Sequence, residues 1–352
     1  MSVIKGDASP AASERMMRVN PLRRLLVRPE TGAVAGSIAV WIFFVLIAGG
    51  SGFSSLSGTA NYLSVAAELT ILAVPVALLM IGGEFDLSIG SMVGACGMLI
   101  VTLSTQYGLD IWLSMLIALI FAVLVGMLNG YLVLRTGLPS FIVTLGTQYI
   151  LAGATTGFTS VIVGLTTVGG LDKMEGYSTA HAIFASLIPI GGAGFHIEII
   201  WACALVILAT WLLLATPFGN WIFGVGGDKN AARNVGVPVA RVKTLLFIGT
   251  AVCACLLAVI QAATFTNADV LRGQGLEFQA IVAAVVGGVL LTGGYGSPIG
   301  SMFGALVFGM VEQGIIFAGV DVNWYKVAIG VILLLAVLLN GYVRKLAMKV
   351  RR

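Results

Sequence analysis

From Ala33 onward, long apolar runs alternate with short polar or glycine-rich breaks. A hydrocarbon core of about 30 Å takes roughly 20 helical residues to cross. The runs at 33–50, 60–82, 88–106, 111–134, 139–157, 197–216, 244–265, 278–292, 298–318 and 324–341 predict ten spans. Ile111 to Leu134 shows no period-two alternation, which argues against an outer-membrane barrel built of alternating segments about ten residues long. The pattern predicts an all-α polytopic membrane protein with some helices broken at glycines.

Composition agrees. Hydrophobic residues make up 59% and charged residues 10% of 352, mean hydropathy is +1.04, and soluble domains carry about 25% charged residues. The expected layout is a polar N-terminal tail (1–31), a transmembrane domain (32–343) and a basic C-terminal tail (344–352). The first tail lacks a small-residue cleavage pattern, and the first run reads as an uncleaved anchor. With the N-terminus inside, 16 of the 19 Lys and Arg residues fall on the inner side, leaving Lys173, Arg272 and Lys326 outside. Such a bias sets orientation. The net charge of +4 therefore reads as topology and gives no reason to expect nucleic acid. Cys96, Cys203, Cys253 and Cys255 all fall in predicted spans and form no zinc or disulfide pattern.

The chain repeats itself. Ile89-Gly-Ser-Met-Val-Gly-Ala95 recurs as Ile299-Gly-Ser-Met-Phe-Gly-Ala305, each after a glycine pair, and Leu128-Asn-Gly-Tyr131 recurs as Leu339-Asn-Gly-Tyr342. A constant shift over several motifs marks two related halves. With ten spans, both copies enter from the same side and the repeat is parallel; one span fewer or more would invert it.

Polar breaks carry the candidate chemistry. In 217–243, Asp228 is an expected N-cap, Lys229 to Val235 two helical turns, and Gly236 with Pro238 the stop. A short capped helix with Lys229 and Arg233 between spans suggests a cytosolic docking surface. In Gly82 to Ser91, Glu84, Asp86 and Ser88 follow the glycine pair. Asp86 is expected to cap a helix from Leu87, and the break reads either as a capped turn or as part of a pathway or gate. Glu68 and Glu312 lie inside spans, where a charge costs about 2.5–3.5 kcal/mol at a helix centre. They line a solute path or tie helices together, as do Asn129, Gln148, Gln261, Gln279 and Asn340. The segment 158–196 is too long for a turn and suggests a short interfacial helix at 178–187. His181 and His196 lie in it without metal-ligand spacing. Steps such as Gly90-x3-Gly94 and Gly300-x3-Gly304 are expected to bring helices close. Walker A, H-E-x-x-H and Ser/His/Asp arrangements do not occur.

On these residues the chain resembles the permease subunits of bacterial ABC importers for ribose, xylose and related monosaccharides. The resemblance runs from about Tyr62 to Leu339 and is carried by GGEFDLSIGS (82–91), NGYLVLRTGLPSFIVTLGTQYILAG (129–153), TPFGNWIFGVGGDKNAARNVGVPVARVK (216–243) and GGVLLTGGYGSPIGSMFGAL (287–306). It implies an inner-membrane protein with cytoplasmic termini and a second permease copy. It further implies a cytosolic ATPase that binds ATP and Mg, with no cofactor in this chain, and a periplasmic sugar-binding protein. It places ATPase coupling on Gly226, Asp228, Ala231, Ala232, Arg233, Gly236 and Arg241. An ion-coupled secondary transporter using Glu68, Glu312 or Asp86 is the alternative.

Overall fold

The computed structural model describes residues 29–331 and residue 334. Most of the N-terminal tail, all of the C-terminal tail, half of the tenth expected span, Asn340 and the second Leu-Asn-Gly-Tyr motif lie outside the described residues.

Helix α1 (Pro29–Ala48) leads into α2 (Leu56–Ile81), α3 (Ile89–Tyr107), α4 (Ile111–Thr136) and α5 (Ser140–Val163). Caps explain several ends. Ser55 Oγ accepts the Gly58 N–H at the start of α2, and Asp110 Oδ1 accepts the Trp112 and Leu113 N–H groups at the start of α4. Glycines in the left-handed region close α3, α4 and α5, where a side chain would be strained. Strand β1 (Thr167–Gly169), α6 (Tyr177–Phe184), and the hairpin β2 (Leu187–Ile190) and β3 (Ala193–His196) follow. The expected interfacial helix is present but ends at Phe184, because the hairpin takes up Leu187 onward.

Helices α7 (Glu198–Ala215), α8 (Pro217–Gly227), α9 (Lys229–Asn234) and α10 (Val239–Phe265) come next. Then follow β4 (Asn267–Asp269), α11 (Leu276–Val286) and α12 (Pro298–Phe317). Strand β4 pairs antiparallel with β1, Thr167 opposite Asp269, which joins the far ends of the α5 and α10 regions. Among the described residues seven helices are long and apolar enough to span a membrane. The fold is an all-α polytopic membrane protein.

Burial sorts the helices. Ile71, Leu72, Leu79 and Ile81 of α2, Ile100 and Val101 of α3, and Phe247, Leu257 and Ile260 of α10 are fully covered. By contrast α4, α5 and α7 expose Leu116, Leu124, Ile142, Ile150, Ile207 and Leu214, the pattern of an outer layer in an apolar solvent. Helix α1 lies across α12, with Phe44, Phe53, Tyr62, Met310 and Ile315 forming a separate apolar cluster.

The expected span at 278–292 needs correction. Helix α11 has 11 residues, about 16 Å of rise, so it crosses only part of a bilayer. The chain before it is not helical: 268–273 runs along the glycine face of α3. A Cβ at Gly94 would lie 2.8 Å from the Arg272 carbonyl oxygen, and one at Gly97 would lie 3.6 Å from the Ala268 Cβ. The Gly90-x3-Gly94 step therefore admits the hydrogen-bonded turns at 270–273 rather than a second helix. Its repeat counterpart does bring two helices together, since Gly300 and Gly304 face Gly287 and the Ala283 carbonyl of α11. The related halves thus differ where α2 is continuous and its counterpart is broken.

Candidate functional site

The polar candidates gather in two regions: the α8–α9 segment with the loops beneath it, and the cavities beside the broken helix.

Helix α9 is capped as its sequence suggests. Asp228 Oδ1 accepts the Asn230 N–H at 2.8 Å and the Ala231 N–H at 3.0 Å. These donors hold the Asp228 carboxyl below its ordinary pKa. At the other end the Gly236 and Val237 N–H groups return to the Arg233 and Ala232 carbonyls, and Gly236 takes φ 87°. The helix exposes Lys229, Ala231, Arg233 and Val235 and buries Ala232. Ala232 faces Gly224 of α8, which makes it the anchor of the rod, while its neighbours form the presented face. Arg241 is also exposed.

Beneath α9, three backbones meet. A Cβ at Gly226 would lie within the Ile81 carbonyl oxygen and 2.7 Å from the Gly294 nitrogen, while one at Gly293 would lie 3.0 Å from the Gly83 Cα. The Gly294 N–H donates to the Ile81 carbonyl at 2.8 Å. Gly83, Gly293 and Gly294 all have positive φ. The end of α8 is therefore wedged between the glycine loops of both repeat copies. These loops lie at the same end, and α3 and α12 both leave from it, which is the parallel arrangement.

The acidic loop is locked into this junction. Glu84 forms an ion pair with Lys243 of α10. Asp86, 1% exposed, does not cap a helix from Leu87: α3 starts at Ile89 without a side-chain cap. Instead Asp86 Oδ1 accepts from the Ser88 N–H and hydroxyl (2.9 and 2.6 Å), and Oδ2 accepts from the Thr250 hydroxyl (2.6 Å). Asn129 Nδ2 donates to Ser88 Oγ and the Thr147 hydroxyl donates to Asn129 Oδ1. The Phe85 and Leu87 N–H groups donate to Ser140 and Thr144 on α5. A buried carboxyl survives because its oxygens are partnered, and here the partners tie α3, α4, α5 and α10 to one loop.

The cavities lie on either side of the 270–279 segment. The first, about 410 Å³, is lined by Ser64, Glu68, His196, Glu198, Gln279, Glu312 and Tyr325 among others. Gln261 Nε2 donates to Glu68, and the Ser64 hydroxyl to Glu198. Partial burial lowers the pKa of His196. The second, about 310 Å³, is lined by Ser91, Gln148, Tyr149, Arg272, Gln274, Glu277 and Phe278 among others. Of the sequence candidates, Glu68, Gln279 and Glu312 meet in the first cavity and Gln148 lies in the second. Glu84, Asp86, Ser88 and Asn129 line neither. Sequence reasoning passed over Glu198, Arg272 and Glu277. Each sits at the edge of an apolar run, where a charge looks like a surface end. The Gly273-Gln-Gly275 sequence before Leu276 was the available sign of a broken helix.

A family profile described as the branched-chain amino acid transport system / permease component matches residues 58–338. The chain is 29% identical over 306 residues to the fructose import permease protein of Rhizobium meliloti, covering 87% of this chain and 83% of that one. It is 29% identical to the autoinducer 2 import system permease protein of Enterobacter sp. (strain 638), covering 92% and 90%. It is 28% identical to the ribose import permease protein of Haemophilus influenzae, covering 82% and 87%. No solved structure matches the chain.

Proposed function

The chain belongs to the family of permease components of the branched-chain amino acid transport system, and from that premise we propose how it works. It is the membrane-spanning permease subunit of an ATP-driven importer, carrying a monosaccharide or similar small polar solute inward. Support for the solute class comes from relatives named as import permeases for fructose and ribose, aligned over more than four-fifths of the chain.

The observation that carries the mechanism is the wedge of Gly226 between the two repeat loops, directly before the capped rod of α9. In this reading a cytosolic ATPase holds ATP and Mg and performs the hydrolysis, and its cleft receives Lys229, Ala231 and Arg233. A periplasmic binding protein delivers the solute, and a second permease copy completes the membrane core. The protein sits in the inner membrane with both termini and α9 on the cytoplasmic side. Closure of the ATPase pushes α9 as a rigid body. Gly226 passes the push to the 82–83 and 293–294 loops at once, so both halves tilt together and access alternates.

The test is transport by the assembled importer in proteoliposomes. ATP should drive accumulation of fructose or ribose, and Ala232→Pro should abolish both uptake and coupled hydrolysis while the chain still inserts. Normal uptake by that variant would overturn the lever.

A further inference from the structure

We infer that the cavity between α5 and the broken helix is a contact site for a neutral, single-ring polyhydroxylated solute during its passage. The inference rests on the transport reading above and adds a place and a chemistry to it.

Glu277 stands at the start of α11, 1% exposed. Its Oε1 accepts from Gln148 Nε2 at 2.8 Å and its Oε2 from the Gly275 N–H at 3.0 Å. A carboxylate has lone pairs beyond these two bonds. The other half of the Gln148 amide, its Oε1, is buried without a partner, and such an acceptor costs free energy until a donor reaches it. Arg272 is fixed by bonds from two guanidinium nitrogens to Asn267 and by its place 5.0 Å from the Phe265 ring centroid. Five N–H donors leave it capacity beyond Asn267. Acceptors on Glu277 and Gln148, donors on Arg272, and both on Ser91 and Gln274 match hydroxyls, which give and accept. The exposed rings of Tyr149 and Phe278 add apolar surface for the C–H face of a sugar.

Size agrees. At about 310 Å³ the cavity falls at the small end of ligand pockets, roughly 300–1,000 Å³, which suits one ring. The larger cavity is a poorer match: Glu68, Glu198 and Glu312 crowd three carboxyls into it, and among the described residues no Lys or Arg lines it. Position agrees too. The site is where a span is interrupted, and backbone that leaves the helix at membrane depth is covered by protein or lines a water-filled cavity.

The experiment uses the complete importer in proteoliposomes, with radiolabelled fructose and ribose as probes and ATPase stimulation by loaded binding protein as a second readout. Gln148→Leu removes the amide, and Ala152→Trp fills the cavity wall without touching a hydrogen bond. Gln148→Leu should cut uptake about tenfold, the loss expected from one or two hydrogen bonds, and Ala152→Trp should cut it at least as far by excluding the solute, while stimulated ATPase stays near wild type in both. Uptake near wild type in both variants overturns the site. So does a parallel fall of uptake and ATPase, which would mark an assembly defect. Failure of the wild-type importer to accumulate either sugar would instead overturn the monosaccharide reading itself, and the site with it.

Discussion

Lys243 reaches back from the first turns of α10 to Glu84, pairing the chain just after the exposed rod with the acidic loop of the first repeat. Both side chains are largely covered, at 8% and 12% exposure. Removing one partner of a buried pair leaves an uncompensated charge, typically a loss of about 3–5 kcal/mol, whereas replacing both with apolar groups is often neutral. Lys243→Met should therefore lower the unfolding temperature of the purified chain clearly, and adding Glu84→Met should restore most of it. Equal stability of the single variant and the wild type would mean that the pair is solvated.

Gly226 and Gly227 are neighbours with opposite tolerances. A methyl group at 226 meets the Ile81 carbonyl and the Gly294 nitrogen, while at 227 it meets nothing within 4 Å. Gly226→Ala should cost about 1–3 kcal/mol of overpacking and uncouple ATP hydrolysis from uptake by prying the two loops apart. Gly227→Ala should leave both readouts unchanged. Uptake assays on the pair decide it, and equal uptake in both would remove the wedge from the mechanism.

Much of the fold could be read from hydrophobic length alone. Helices stand at the first five expected spans, but α5, though it runs on to Val163, is not among the seven described helices apolar enough to cross a membrane; the capped rod at 229–234 follows from Asp228 and Gly236. What length could not show is depth. The run at 278–292 looked like a span, because apolar residues after Leu276 say nothing about the turns ahead of them. The candidate site divides in the same way. Asp86, Ser88 and Asn129 were visible as polar residues in an apolar context, but only geometry shows Thr250 and Thr147 completing their network. Glu277 was hidden by its place at the end of a run, since sequence cannot tell a helix that begins within the membrane from one that begins at its surface.

Asp228 gives a pH expectation with a definite sign. Its carboxylate is favoured in the folded state by the Ala231 and Asn230 N–H groups, which puts its pKa below the unfolded value of about 3.9. Its stabilising effect is thus complete above that value and is lost as pH falls through the lower, folded one. Asp228→Asn keeps an acceptor for the same N–H groups and should preserve coupling at neutral pH, whereas Asp228→Ala should not. If the alanine variant couples normally, the cap is dispensable.

The carboxylates of the larger cavity separate the two energy sources. Glu68, Glu198 and Glu312 line one space, the type of grouping on which a proton-coupled transporter relies. In an ATP-driven importer they need not change protonation during transport, because in the proposed mechanism the work arrives through α9, beside the Ile81 end of α2. A protonophore applied at constant ATP should then leave uptake unchanged. Glu312→Gln, which removes a carboxylate that no structural cap requires, should retain most ATP-driven uptake. Depleting ATP while a proton gradient is maintained should stop uptake. Uptake that follows the gradient and is lost in Glu312→Gln would assign the driving force to these acids and leave α9 without a mechanical role.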